Sequence, residues 1–377
     1  MNRKVYLDYN ATAPARPEVA AAIAAALQIG GNPSSIHAAG RAARAAIEQA
    51  RESVAALVGA RSSEVVFTSG GSEANTLAIR SAVAAGARRL IVGATEHSSV
   101  TEASAASAAV EVWPVDRHGV ADLDWLKTKL KGWSASDGRP FVALMLANNE
   151  TGVIQPVAEA AVLVHCAGGW LHVDAVQAAG KIPVDLPALA ADTLSLSAHK
   201  LGGLAGSGAL VVRPGVELTR QAFGGGQERG RRGGTENLVG IAGFGAASAA
   251  GGCPDQSDWR DAAAARLVRE ADVHVLGEGA ARLPNTLCFA KAGYSSELQV
   301  MTLDLAGVMV SAGSACSSGK LKSSPVITAM GRPDLAACSI RISGGWATTE
   351  ADWTRFTDAW LDARTRHAGR SRKFVEA

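Results

Sequence analysis

Between residues 65 and 212, short apolar runs alternate with alanine-rich stretches of helical spacing. Val65–Phe67, Leu90–Val92, Phe141–Leu146, Trp170–Val173, Thr193–Leu196 and Ala209–Val212 are the predicted strands. Strands separated by helices in this rhythm predict βαβ units, hence an α/β fold with a large, mostly parallel sheet. Val19 to Leu27 follows Pro17-Glu18, a helix-start signal, and predicts a buried alanine-rich helix too short to span a bilayer. Gly251-Gly252-Cys253-Pro254-Asp255 breaks the pattern. Beyond it come a helical stretch, strand-like Asn285–Phe289 and Ser339–Ser343, and a loop of small residues near 311–319, the pattern of a smaller α+β unit. The expected division is a large domain over 14–252 and a small one made of 1–13 and 253–377.

Several predicted strands end directly in polar or glycine-rich residues. These are Thr68-Ser69-Gly70-Gly71-Ser72, Thr95-Glu96-His97, Asn148-Asn149-Glu150, Asp174-Ala175-Val176-Gln177 and Ser197-Ala198-His199-Lys200. In open α/β sheets, ligands bind beyond the carboxyl ends of the strands, so these clusters point to one crevice. Gly71 and Ser72 sit at a strand-to-helix turn that serves either as an anion cradle or as a plain helix cap. There is no P-loop or dinucleotide fingerprint here. Asp174 is either a helix-capping carboxylate or the partner of a protonated pyridine ring. Lys200, beside apolar strands, is either a surface lysine or an amine whose charge is disfavoured and whose Schiff-base chemistry is eased. His97 is a capping histidine or a ring-stacking proton carrier. Arg341, alternating with apolar residues in Ser-Ile-Arg-Ile-Ser, lies on a solvated face or clamps a carboxylate. Cys316, among small and polar residues with Lys320 and Lys322 nearby, is an incidental loop thiol or a nucleophile.

Composition narrows the classes. A length of 377 residues suits two lobes, and a net charge of +2 gives no reason to expect direct nucleic-acid or membrane binding. The basic, glycine-rich stretch 224–235 has no interleaved aromatic residues, which leaves it better suited to a phosphate than to RNA. Five cysteines (166, 253, 288, 316, 338) without a CxxC pair predict free thiols in a reducing, cytoplasmic setting. No metal site is expected.

Taken in order, the motifs resemble the NifS/IscS-type cysteine desulfurases, in the class V aminotransferase branch of fold-type I pyridoxal-phosphate enzymes. The resemblance runs through Tyr6-Leu-Asp-Tyr-Asn-Ala-Thr12, Gly31-Asn-Pro-Ser-Ser-Ile-His37 and Phe67-Thr-Ser-Gly70. It continues through Ala147-Asn-Asn-Glu-Thr-Gly152, His172-Val-Asp-Ala-Val-Gln177, Ser197-Ala-His-Lys200 and Gly224-Gly-Gly-Gln-Glu-Arg-Gly230. It ends with Gly234-Thr-Glu-Asn237, Ser314-Ala-Cys316 and Ile340-Arg-Ile-Ser343, so it covers nearly the whole chain.

The resemblance implies pyridoxal 5'-phosphate on Lys200, with Asp174 on the ring nitrogen, Gln177 on the ring hydroxyl and His97 stacked on the ring and active in acid–base steps. Gly71, Ser72, Ser197 and His199 match the phosphate cup, and Thr235 a phosphate ligand given by the neighbouring subunit of a homodimer. Arg341 and Asn149 match the pair that holds the substrate carboxylate. Cys316 matches the sulfur acceptor, in a long loop of the group I kind. The implied reaction turns L-cysteine into L-alanine and a persulfide on Cys316, for sulfur-acceptor proteins such as an iron–sulfur scaffold. A selenocysteine lyase or another class V aminotransferase would keep Lys200 and Asp174 without depending on Cys316. A non-catalytic sulfur-delivery scaffold would need none of the catalytic groups. The chain departs from the family after Lys200, where Leu201-Gly-Gly-Leu replaces the usual Gly-Pro-Lys-Gly, and at Gly345-Trp346 after Arg341.

Overall fold

A computed structural model describes residues 4–313 and 323–375. The first strand, β1 (Val5–Tyr6), is short. Seven strands then build the main sheet: β2 (Val65–Thr68), β3 (Arg89–Gly93), β4 (Ala109–Trp113), β5 (Phe141–Ala143), β6 (Trp170–Asp174), β7 (Thr193–Ser197) and β8 (Gly208–Val212). Their order is β2-β8-β7-β6-β5-β3-β4. From β4 to β7 all pairings are parallel, and β8 runs antiparallel to both β7 and β2. β2 therefore points the same way as the parallel strands, and the carboxyl ends of six strands share one edge.

Strands β5, β7 and β8 are buried along their whole length and β6 in all but Trp170, as expected where helices cover both faces of a sheet. β5 and β8 read as apolar runs, whereas β6 and β7 also bury His172, Thr193 and Ser195. Edge strand β4, Ala-Val-Glu-Val-Trp, is largely exposed and was not among the predicted strands. Its pairing with β3 comes from the sheet it joins rather than from its own apolarity. The regular part of β5 stops at Ala143, short of the predicted Leu146, yet Leu144 and Leu146 still donate to the carbonyls of His172 and Asp174.

Pro17–Leu27 is a helix as expected, but not a buried one. Only Val19 and Ala26 are buried, and Leu27 is exposed. Alanine is the best helix former and has little side chain to bury, so an alanine run specifies a helix without specifying depth.

Beyond residue 256 a long helix, Ser257–Ala271, precedes β9 (His274–Val275) and β10 (Thr286–Ala290), and β11 (Val308–Met309) and β12 (Ser339–Ser343) follow. β12, β10 and β9 form an antiparallel sheet, and β1 pairs with β11 in parallel. A second apolar core gathers Val5 and Leu7 with Leu267, Phe289, Ile342 and Trp360. Val5 and Leu7 thus pack with the last third of the chain. Among the described residues, no helix is long and apolar enough to cross a membrane.

Candidate active site

Asp174 is the last residue of β6, at the edge where the strands end. Its Oδ1 accepts the main-chain N–H of Val176 at 3.0 Å, and its Oδ2 accepts Asn75 Nδ2 at 2.8 Å. Because the Asn75 amide group is committed to Asp174, its Oδ1 must accept, which it does from His172 Nε2 at 2.9 Å. His172 is fully buried, and burial pushes its pKa down to about 3, so the ring is neutral with the proton on Nε2. Its Nδ1 is left to accept the Thr193 hydroxyl at 2.9 Å. A relay from β7 through β6 and the helix Gly71–Ala84 thereby fixes one carboxylate oxygen.

Lys200 follows β7 on a short 3-10 turn, Ala198–Lys200. Its Nζ donates to the carbonyls of Asn10 (2.6 Å) and Ala11 (2.7 Å). Burial, with Arg341 adding to it, lowers its pKa to about 8. Neighbouring His199 shares a 3.1 Å hydrogen bond between Nδ1 and the Thr12 hydroxyl. Burial first, then Lys200, brings its pKa down to about 4, so this imidazole is neutral too.

The turn between β2 and the helix Gly71–Ala84 leaves first-turn N–H groups for an anion. Close packing requires glycine here. A Cβ on Gly71 would lie 2.9 Å from Val176 Cγ2, and one on Gly208 would lie 2.6 Å from Gly70 Cα. Glu73 Oε2 accepts the Ser69 N–H at 2.7 Å, and Arg232 pairs with Glu73 at 2.8 Å.

His97 caps the helix Ser98–Ala105, its Nδ1 accepting the Ser99 N–H at 3.1 Å. It also lines the cleft, so the capping role and the cleft position coincide. Beside it, the Glu96 carboxyl is pushed well above the usual range by burial and then by Asp174.

Arg341, in the middle of β12, is buried rather than on a solvated face. It donates from Nη1 to the Asn149 carbonyl (3.0 Å) and from Nη2 to Asp8 Oδ1 (2.7 Å). Asn149 sits in a turn organised by Asn148, whose Oδ1 accepts the N–H groups of Glu150 and Thr151, both at 2.9 Å.

These groups meet in one cleft of about 360 Å³, large enough for a substituted pyridine. Gly71, Ser72, His97, Asn149, Asp174, Gln177, Ser197, His199, Lys200 and Arg341 all line it. Thr235 does not. It stands in a separate depression with Thr68, Ser69 and Asn237. Cys316 lies outside the described residues. Sequence reasoning missed Asn10, Asn75 and Lys181. Asn10 was inside a quoted motif, but nothing local reveals that its carbonyl meets Lys200. Asn75 sits one helical turn past the glycine turn, a spacing that could have suggested it.

Taken together, an anion-accepting glycine–serine turn, a carboxylate at a strand end and a lysine of lowered pKa fit pyridoxal 5'-phosphate, and they define a cofactor-dependent enzyme of fold type I. The chain belongs to the aminotransferase class-V family, whose sequence model matches residues 5–356. It is 42% identical over 377 residues to a cysteine desulfurase of Cereibacter sphaeroides, covering 94% of each chain. It is 40% identical over 368 residues to the cysteine desulfurase IscS of Dictyoglomus turgidum, covering 93% of this chain and 92% of that one. The X-ray structure of a NifS-like protein from Rickettsia africae superimposes with a TM-score of 0.87 at 31% identity, over 96% of this chain and all of that one.

Proposed function

We propose that the protein is a cysteine desulfurase that takes sulfur from L-cysteine onto Cys316 and releases L-alanine. The observation that carries this reading is the meeting of Lys200, Asp174 and Arg341, from three separate elements, in one cleft. When bound, pyridoxal 5'-phosphate supplies an electron sink for negative charge at the substrate α-carbon.

The chain's own groups do the rest. Arg341, whose Nε is buried without a hydrogen-bond partner among the described residues, binds the substrate carboxylate together with Asn149. Asp174, held on both oxygens, would pair with the protonated ring nitrogen of the bound cofactor. Gln177 would bond the ring oxygen and His97 would cover the ring. Gly71, Ser72, Ser197 and His199 would hold the phosphate. Lys200, with a pKa near 8, carries the cofactor and moves the proton at the α-carbon, since an amine titrating close to neutrality both takes and returns it. Cys316, as thiolate, attacks the substrate sulfur: an S–S bond forms and the C–S bond breaks. Its proton count balances as thiol plus cysteine giving persulfide plus alanine.

A homodimer with shared sites accompanies this reading. Thr235 stands apart from the cleft of its own chain, which suits a phosphate ligand given to a partner, and Ile36 (91% exposed) and Phe223 (84%) leave large apolar surface open. The division into a large domain (14–252) and a small one (1–13 with 253–377) is supported by the packing of Val5 and Leu7 with the C-terminal core. A cytoplasmic setting and delivery of the sulfur to an iron–sulfur scaffold complete the proposal. Failure to transfer sulfur to any cluster scaffold would remove that last step.

The deciding experiment measures alanine and sulfide release from L-cysteine with a reductant, comparing the native chain with Cys316→Ala. Activity lost with the yellow cofactor absorbance retained is the expected result. Equal activity in both would overturn the desulfurase reading in favour of a lyase or transaminase.

A further inference from the structure

Lys181 is buried, four residues after Gln177, and its two hydrogen-bond partners among the described residues are both neutral amide oxygens. Nζ donates to Gln177 Oε1 at 2.6 Å and to Asn10 Oδ1 at 2.7 Å. An amine buried against neutral groups carries a desolvation cost that an apolar side chain of the same length would avoid. Burial accordingly lowers its pKa to about 7.

Its effect on the two amides is directional. An ammonium has three N–H bonds and a neutral amine still has two, one for each oxygen it meets here. Gln177 must therefore turn Oε1 to Lys181 and its NH2 the other way. That NH2 donates to the Asn10 carbonyl at 2.9 Å, the same carbonyl that accepts Lys200 Nζ at 2.6 Å. The donor end of Gln177 is thus held beside the lysine of the cleft, while Lys181 itself is not among the residues that line it. The same amine orients Asn10, whose Nδ2 then donates to the Asn149 carbonyl (3.2 Å) and to the Thr286 hydroxyl (3.0 Å).

We propose that Lys181 is a positioning residue that locks the Gln177 carboxamide with its NH2 presented to the cleft, as a fixed donor to the ring oxygen of the cofactor. The inference rests on reading Gln177 as a cofactor contact. Without Lys181 one of the two contacts that hold the carboxamide this way round is lost, and the Asn10 carbonyl alone opposes the flipped orientation, which sets an oxygen against an oxygen.

The test compares full-length native protein, Lys181→Met, Gln177→Ala and the double variant. The readouts are the dissociation constant for pyridoxal phosphate, by spectral titration, and the position and pH midpoint of the visible band. Lys181→Met is expected to weaken cofactor binding roughly tenfold, the size of one hydrogen bond to a charged group, and to move the band. In the Gln177→Ala background it should add less than about a twofold change, because the group it positions is gone. Should Lys181→Met fail to fold, Lys181→Gln carries the same test, since a second carboxamide can meet Gln177 either way round. Native binding and band in the Lys181 variant, or an equal loss in both backgrounds, overturns the proposal and leaves Lys181 a packing residue. If Gln177→Ala alone leaves binding and band unchanged, the reading of Gln177 fails first, and this proposal with it.

Discussion

Arg341 Nη2 donates to Asp8 Oδ1 at 2.7 Å, so the guanidinium that faces the cleft is already held by a carboxylate from the N-terminal segment. The pair ties the middle of β12 to residues next to Asn10 and Ala11, whose carbonyls hold Lys200. Two cationic groups of the site are thus aligned by the same short stretch of chain.

Removing Asp8 strips a buried cation of its counter-charge. Asp8→Ala is expected to destabilise the protein by about 3 kcal/mol and to raise KM for L-cysteine more than it lowers kcat. Denaturant unfolding and steady-state kinetics measure the two effects. Unchanged stability together with unchanged KM would show that Arg341 does not depend on this contact.

The lowered pKa of Lys200 makes a pH prediction for the cofactor-free protein. Unfolded, the lysine titrates near 10.5, and folded, near 8, so between those values the unfolded chain binds more protons. Stability contributed by this group therefore rises as pH increases from 8 to 10.5, and is lowest where the folded lysine is protonated. Relative to Lys200→Met, the native chain should gain as much as about 3 kcal/mol across that window. Parallel unfolding curves at pH 7 and pH 10 check it, and a constant difference between the two proteins would contradict it.

Asn75→Asp places a second carboxylate against Asp174, where an amide now donates at 2.8 Å. Like charges at that separation cannot both ionise, so one carboxyl is held protonated and Asp174 becomes a poorer partner for a pyridinium. Cofactor affinity should fall by about tenfold or more, as read by absorbance titration. Asn75→Gln, too long for the relay, should fall less in affinity than Asn75→Asp.

Arg51 and Glu228 form a buried ion pair, with Arg51 Nη1 2.6 Å from Oε2, and Glu228 Oε2 also accepts the Phe67 N–H at 2.9 Å. The Glu228 backbone is in the left-handed region (φ 48°), so this contact anchors a strained turn of the glycine-rich stretch that precedes Thr235. Arg51→Met leaves an uncompensated buried carboxylate and should cost about 3–5 kcal/mol, measured by unfolding.

The sheet was legible from the sequence because most of its strands are buried, rich in apolar residues and ended by polar or glycine-rich ones. Val65–Phe67, Trp170–Val173 and Thr193–Leu196 each fall within one residue of the strands observed. The crevice was legible for the same reason: Asp174, Ser197 and the Gly71 turn stand where strands end, and parallel strands put those ends on one edge.

What tertiary structure alone decided is how distant segments complete that edge. Local pattern sets which residues are apolar and where strands stop, but not which carbonyl meets an amine some 190 positions away. That Asn10 receives Lys200, that Asn75 joins His172 to Asp174, that Arg341 is buried against Asp8, and that Lys181 turns the Gln177 amide all follow from packing the N-terminal segment, the helix Gly71–Ala84 and β12 against the main sheet. The alanine-rich helix Pro17–Leu27 makes the same point from the other side. Propensity made it a helix, and only its neighbours decided that one narrow stripe, Val19 and Ala26, would be buried.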